Sequence, residues 1–376
     1  MHRPVRHRAA APPLALAFAS AIALLACGAR EANIGPRSLG GASATHTTSV
    51  SGLPEATTKG IPRPSGNGRE PKLTILNWAG FTAAATFTFD DAQPSHVDYW
   101  PALKAQNVPL TFYFNAANRA YPNFDATWRD VVASGGEIGD HTYHHCYENL
   151  TGCPGNNAPF ASADLEIANN VEYLARRDAI TDVRTMAYPF GDANWERLAQ
   201  VHYFLARGVR PGMVAPNDDS DPFDLPCVVA TGGQPASVFS ASVDSAHARG
   251  RWVIFLFHSI LGADGGGAND WYAGESITSI EGAIEHAKSL TDVWIDTVAN
   301  VGAYWIAQRT LSRTRPTALP SGQAWRWTLP DHFPPGRYLR ATIDGGTLSQ
   351  NGTPLAWDDH GYYEIALDAG SLTWTP

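Results

Sequence analysis

Ala83-Ala84-Ala85-Thr86-Phe87-Thr88-Phe89-Asp90-Asp91 is an apolar run of strand length that stops on two carboxylates. Such a run predicts a buried strand over Ala83–Phe89. α/β folds place their sites at the carboxyl ends of parallel strands, which is where this pair falls. Adjacent aspartates on extended backbone point to different sides, so one can hold a metal while its neighbour holds a proton or a water. A helix N-cap or a turn would also account for an isolated Asp pair. The flanking sequence decides between these readings.

Downstream, strand-length apolar runs alternate with amphipathic stretches of helical length. Further strands are expected at Pro109–Phe114, Glu137–Asp140, Thr185–Tyr188, Val201–Ala206 and Trp252–Phe257. Helices are expected at Val97–Ala105, Thr127–Ala133, Ser162–Arg177, Trp195–Val201, Ala236–Arg249, Ser276–Leu290 and Trp294–Gln308. Alternating β and α units predict an α/β fold, with a parallel sheet or barrel. Past Arg313, Pro, Gly and Thr become frequent and short alternating runs appear at Tyr338–Ile343 and Tyr362–Leu367, which predicts a small all-β module. Asn351-Gly352 is a hairpin turn signal. Trp325 and Trp327 share one face of a strand, either to stack on sugar rings or, as is commoner, to fill a core.

Two more segments carry chemistry. His141-Thr142-Tyr143-His144-His145 follows the strand ending at Asp140. On a helical turn, His141 and His145 would share a face and could reach one ion; His144 could replace His145 on geometry alone. Trp252–Phe257 leads into His258, whose near-neutral pKa suits a general acid, although a structural histidine is the plain alternative. Neither a Gly-x-Ser-x-Gly elbow nor a His-Glu-x-x-His motif is present.

The chain has 376 residues, 44 % of them hydrophobic, with 27 Lys and Arg against 36 Asp and Glu. That acidic balance argues against nucleic acid as the main partner. Arg3, Arg6 and Arg8 precede an apolar run from Ala10 to Ala26, short for a membrane span and interrupted by Pro12 and Pro13, so residues 1–26 read as a secretion signal. Its end, Leu24-Leu25-Ala26-Cys27-Gly28, resembles a bacterial lipoprotein signal, which implies cleavage before Cys27 and lipidation of Cys27. The protein is then exported, either membrane-anchored through that lipid in the bacterial cell envelope or, if Cys27 is incidental, secreted. Residues 27–71 read as a flexible linker rich in Gly, Ser, Thr, Ala and Pro. Cys146 and Cys153 are close enough in sequence for a local disulfide, which leaves Cys227 as a buried thiol.

Taken together, Thr88-Phe89-Asp90-Asp91, His141-Thr142-x-x-His145, Tyr188-Pro189-Phe190-Gly191 and Leu256-Phe257-His258 resemble the motifs of the polysaccharide deacetylases, carbohydrate esterase family 4, also called the NodB homology domain. The resemblance covers residues 72–312 and leaves residues 313–376 as the β-rich module. It implies a distorted (β/α) barrel of the NodB type and a divalent metal, usually Zn2+, with Co2+ or Ni2+ as substitutes. Asp91, His141 and His145 would hold the metal, Asp90 would be the base, and His258 the acid. Tyr188, Pro189 and Phe190 would bind substrate, with a backbone N–H near Phe190 holding the oxyanion. The implied reaction removes N-acetyl groups from an amino-sugar polysaccharide or oligosaccharide. O-deacetylation of acetylated xylan by the same fold is the alternative, and a catalytically weak sugar-binding lipoprotein is a more distant one. Two departures stand out. Ala187 occupies the place of the family's base-orienting arginine, and the family's Asp-and-Trp motif near the acid has no clear match. Arg207 or Arg210, in Ala206-Arg207-Gly208-Val209-Arg210, would take the orienting role, unless both are surface arginines.

Overall fold

The structure, a computed structural model, describes residues 51–66, 71–266 and 272–376. The expected signal, Cys27 and the first part of the expected linker lie outside the described residues.

After the short strand β1 (Leu73–Ile75), seven parallel strands follow: β2 (Ala83–Asp90), β3 (Thr111–Phe114), β4 (Glu137–Asp140), β5 (Thr185–Ala187), β6 (Leu205–Pro211), β7 (Leu225–Val229) and β8 (Trp252–Phe257). They pair in chain order, and β8 returns to pair with β2, so the sheet closes into a barrel. The helices α1 (Pro94–Ala105), α2 (Phe124–Ala133), α3 (Ala163–Asp178), α4 (Glu196–His202), α5 (Ala236–Arg249), α6 (Ile277–Ser289) and α7 (Val298–Arg313) complete the α/β pattern. This is the barrel that the motif resemblance implied.

Strand β2 shows why the first nine residues decide the fold. Phe87 and Phe89 pack outward, stacked on Phe255 at 5.1 Å and on Phe112 at 4.9 Å. The alternate residues turn to the other face: Thr86 donates its hydroxyl to Asp296 O and Thr88 to Phe255 O. The period of two places Asp90 on the face of Thr86 and Thr88, at the carboxyl end of the strand.

Two sequence expectations are corrected and one strand is added to them. Val201 and His202 end helix α4, and the strand expected there begins at Leu205. Strand β7, interrupted by Pro226 and too mixed for a period, carries no clear sequence signal. The expected helix Trp294–Gln308 begins as a strand, Val293–Ile295, beside the start of β2, and the helix opens at Val298 behind the Thr297 N-cap.

The C-terminal residues form antiparallel sheets, and Asn351-Gly352 makes the expected turn with both residues at positive φ. This module shares one core with α7: Trp305, Trp325, Leu339, Ile365 and Trp374 are buried in a single cluster. Trp325 and Trp327 are core rather than a sugar platform, and the Trp327 indole donates to Leu367 O at 2.9 Å. Strand β1 pairs with Tyr338–Ile343, so it belongs to the module's sheet. The last part of the expected 27–71 linker is packed as well. Leu53 and Ala56 are buried, the buried Arg340 guanidinium donates to Pro54 O at 2.8 Å, and His360 Nε2 lies 3.0 Å from Glu55 Oε1.

Candidate metal and acid–base site

Asp90 ends β2 and Asp91 follows it at φ 78°, the His141–His145 segment follows β4, Tyr188 follows β5, Arg207 lies in β6 and His258 follows β8. All therefore come from the carboxyl half of the barrel, where α/β barrels place their chemistry. Asp90, Asp91, His141, His145 and His258 line one cavity of about 700 Å3.

His141 Nε2 and His145 Nε2 each lie 3.2 Å from Asp91 Oδ1. The other Asp91 oxygen, Oδ2, accepts from Gln93 Nε2 at 2.9 Å, and Ser259 Oγ donates to Gln93 Oε1 at 2.6 Å. His141 Nδ1 bonds the carbonyl of Ala187 at 2.8 Å, which fixes its tautomer with Nδ1 protonated and Nε2 carrying the lone pair. Two imidazole nitrogens and one carboxylate oxygen thus converge with suitable second contacts. A donor set of this chemistry fits a divalent ion of the zinc type and leaves a position for water or substrate.

The expected helical turn between the two histidines is absent. Residues 141–145 form a bend with Thr142 at φ 61° and His145 at φ 54°. Thr142 Oγ1 accepts the His145 N–H at 3.1 Å, and that local bond brings the second imidazole back to the first. His144 faces elsewhere, with Nδ1 3.0 Å from Glu166 Oε1 and its N–H on Glu166 Oε2 at 2.9 Å. The choice that sequence left open falls on His145.

Asp90 is buried, and Arg207, fully buried in β6, reaches both of its carboxylate oxygens through Nη2, at 2.6 Å to Oδ1. The register explains how. Ala187 in β5 pairs with Arg207 in β6, so the guanidinium enters from the strand next to the one that lacks it. Arg207 also lies over the Tyr113 ring, 5.1 Å from its centroid. Arg210 does not take part: it is exposed and bonds Asp224 Oδ2 at 2.8 Å. The period of two explains the difference: Arg207 and Val209 face the cavity, and Arg210, three residues from Arg207, falls on the opposite face with Asp224.

His258 is half-buried against Tyr272, ring centroids 5.0 Å apart. Its Nδ1 has no hydrogen-bond partner among the described residues, which agrees with the missing Asp-and-Trp motif. Tyr188 and Phe190 line the cavity, but the Tyr188 hydroxyl is committed to Phe223 O. Pro189 is buried behind the turn and is not part of the lining, so a direct substrate contact from Pro189 is not supported. Sequence reading missed Gln93, which looks like an ordinary helix N-cap, and Tyr147 and Tyr272, exposed aromatics in loops without a pattern.

Electrostatics separate the imidazoles. Burial pulls His141 down, but the Asp91 hydrogen bond and the charges of Asp90 and Asp91 outweigh it and hold the ring above its ordinary value. Burial and the neighbouring His141 push His145 down to about 4. Burial also lowers His258. Burial opposes the Asp91 charge, but the His141 hydrogen bond and the nearby imidazoles hold its carboxyl well below the usual range. In metal-free protein, NMR titration should find His141 protonating above its ordinary pH and His145 near 4. Metal binding should therefore release protons from His141, increasingly so as the pH is lowered, seen by calorimetry in buffers of different ionisation enthalpy. Release of none would contradict this account of the cluster.

A closed parallel barrel with an aspartate–bis-histidine cluster at its carboxyl end defines the class, a (β/α)-barrel domain with a metal-type acid–base site. Within it, residues 82–204 match the family described as polysaccharide deacetylase. A gellan lyase from Bacillus sp is 29 % identical over 128 residues, which are 34 % of this chain and 5 % of that protein. The chain thus spans about a twentieth of that relative. Among solved structures, a candidate polysaccharide deacetylase from Mycobacterium smegmatis is 15 % identical, with a TM-score of 0.44, covering 66 % of this chain and 100 % of the other. The peptidoglycan deacetylase PdaC from Bacillus subtilis is 20 % identical, with a TM-score of 0.37, covering 58 % of this chain and 90 % of the other.

Proposed function

We propose that this protein is a metal-dependent hydrolase that removes N-acetyl groups from an amino-sugar polysaccharide or oligosaccharide. One observation carries the reading: a buried Asp90, gripped by Arg207, stands beside the Asp91–His141–His145 cluster and shares its cavity with His258. Asp91, His141 and His145 would hold a divalent ion, which when bound would supply Lewis acidity towards water and the acetyl carbonyl. Asp90 takes the proton from the attacking water. Arg207 keeps the Asp90 carboxylate in place. The backbone N–H of Phe190, on the lip of the cavity, stabilises the oxyanion. His258 delivers a proton to the departing amine. The aspartate on one side and the imidazole on the other give a binding-only reading no work for either group. The N-terminal sequence supports export, with Cys27 as the lipid anchor.

Arg207→Ala should cost about 3–5 kcal/mol of stability, because it leaves a buried carboxylate without its partner. It should lose activity as well, while Arg210→Ala keeps both. Thermal melts and acetate release check the pair; an active, stable Arg207→Ala protein would remove Arg207 from the mechanism. His258→Ala should slow turnover of an N-acetyl sugar by about 10²-fold or more. It should slow an aryl acetate far less, since a phenolate leaves without a proton. Equal losses on the two substrates would contradict the acid role.

A further inference from the structure

The two histidines of the cluster are supported in different ways. His141 is fixed by its Nδ1, which bonds Ala187 O at 2.8 Å. His145 Nδ1 is buried and has no hydrogen-bond partner among the described residues. Histidines that ligate metals usually donate this second nitrogen to an oxygen, which fixes the ring and its tautomer. At His145 the support has to come from elsewhere. The rings of His141 and Phe190 flank it edge to face, with centroids at 4.7 Å and 4.4 Å. Its backbone sits at φ 54°, a conformation uncommon for a residue with a Cβ, and only the Thr142 hydroxyl holds its N–H there.

The next residue is Cys146, fully buried and joined by a disulfide to Cys153. The bond closes a loop that is also tied inside. Tyr147 N–H donates to Thr151 O at 2.9 Å and Leu150 N–H to Tyr147 O at 2.8 Å. Gly152, at φ 67°, passes so close to the Tyr147 ring that a Cβ there would meet it at 2.7 Å. On its other side the Tyr147 ring stacks on Phe190, centroids 4.4 Å apart. Glu148 N–H donates to Asp192 Oδ2 at 3.0 Å, just past the turn that carries Phe190. Loop and turn are thus joined in one piece, and that piece abuts the imidazole whose Nδ1 has no protein partner. A ligand held in place before its ion arrives binds it without a further ordering cost.

We propose that the Cys146–Cys153 disulfide positions the metal ligand His145, standing in for a hydrogen bond at Nδ1, so that the protein's hold on its ion depends on that covalent bond. This role rests on Asp91, His141 and His145 being the set that holds the ion, and it is independent of which glycan is the substrate. The two cysteines act through His145 and are positioning residues.

The test is zinc affinity, measured by competition with a chromophoric chelator. It compares the unaltered protein, the Cys146→Ala/Cys153→Ala protein, the His145→Ala protein and the triple variant. Loss of the disulfide should weaken zinc binding by at least about tenfold, the scale set by groups that orient metal ligands. In the His145→Ala background the same change should weaken it by less than about twofold, because the group it positions is gone. A general loss of structure would lower both affinities alike. Tyr147→Ala keeps the disulfide and removes the stack on Phe190, so it serves even if the cysteine variant does not fold. It should weaken zinc about two- to tenfold, and again only with His145 present. Zinc affinity indifferent to the disulfide, or lowered equally with and without His145, would overturn the proposal. Acetate release, measured in parallel, reports on the hydrolase reading separately. The expected disulfide dependence without acetate release would keep the positioning role and reject the hydrolase; an unaltered protein with no affinity for zinc would reject both.

Discussion

Asp90→Asn is expected to leave a folded protein that still binds its divalent ion and turns over about 10²–10⁴-fold more slowly. The substitution keeps the shape of the side chain and one oxygen for the Arg207 guanidinium. It removes the group that can accept a proton. Asp90 is not placed to be a primary ligand: His141 Nε2 is 3.9 Å from Asp90 Oδ2 but 3.2 Å from Asp91 Oδ1. Metal content should therefore be unchanged while kcat falls. Elemental analysis of the purified variant beside its rate of acetate release checks both halves. Full turnover in Asp90→Asn would mean that another group is the base.

His141→Ala should act in the opposite manner and lose metal and activity together. His141 is buried, donates from Nδ1 to Ala187 O and presents Nε2 to Asp91, so it links the cluster to β5. Its removal deletes a ligand and leaves two. Support residues of metal sites are worth about 10–100-fold in affinity, and a direct ligand should exceed that. His144→Ala is the useful companion, since His144 is turned to Glu166 and should cost far less metal. A His141→Ala protein that retains stoichiometric metal would contradict the ligand assignment.

The contrast between these variants reflects what was legible in the sequence. Asp90, Asp91 and His258 were visible because each stands at the end of an apolar strand, and His141 because it follows the strand ending at Asp140; strand ends are where a parallel barrel opens. His145 was visible as a partner, but the reason given for it was wrong. The two imidazoles meet through a left-handed bend closed by Thr142, not through a helical period. Arg207 and Arg210 could not be separated from sequence, because the choice depends on cross-strand register. Only the pairing of Ala187 with Arg207 shows that a guanidinium from β6 reaches Asp90. Strand β7 and strand Val293–Ile295 escaped for a local reason: one contains a proline and the other runs within two residues into a helix. The association of β1 and residues 51–65 with the C-terminal sheets is a long-range pairing that no window of sequence contains.

The central claim is metal-dependent release of acetate from an N-acetylated glycan, and one measurement addresses it directly. Acetate is quantified from a small set of substrates, an N-acetylglucosamine oligomer, peptidoglycan glycan and acetylated xylan, with and without chelator, followed by zinc add-back. The account predicts release from an amino-sugar substrate with one free amine formed per acetate, abolished by the chelator and restored by zinc. Release confined to acetylated xylan, or release that the chelator leaves untouched, would contradict it.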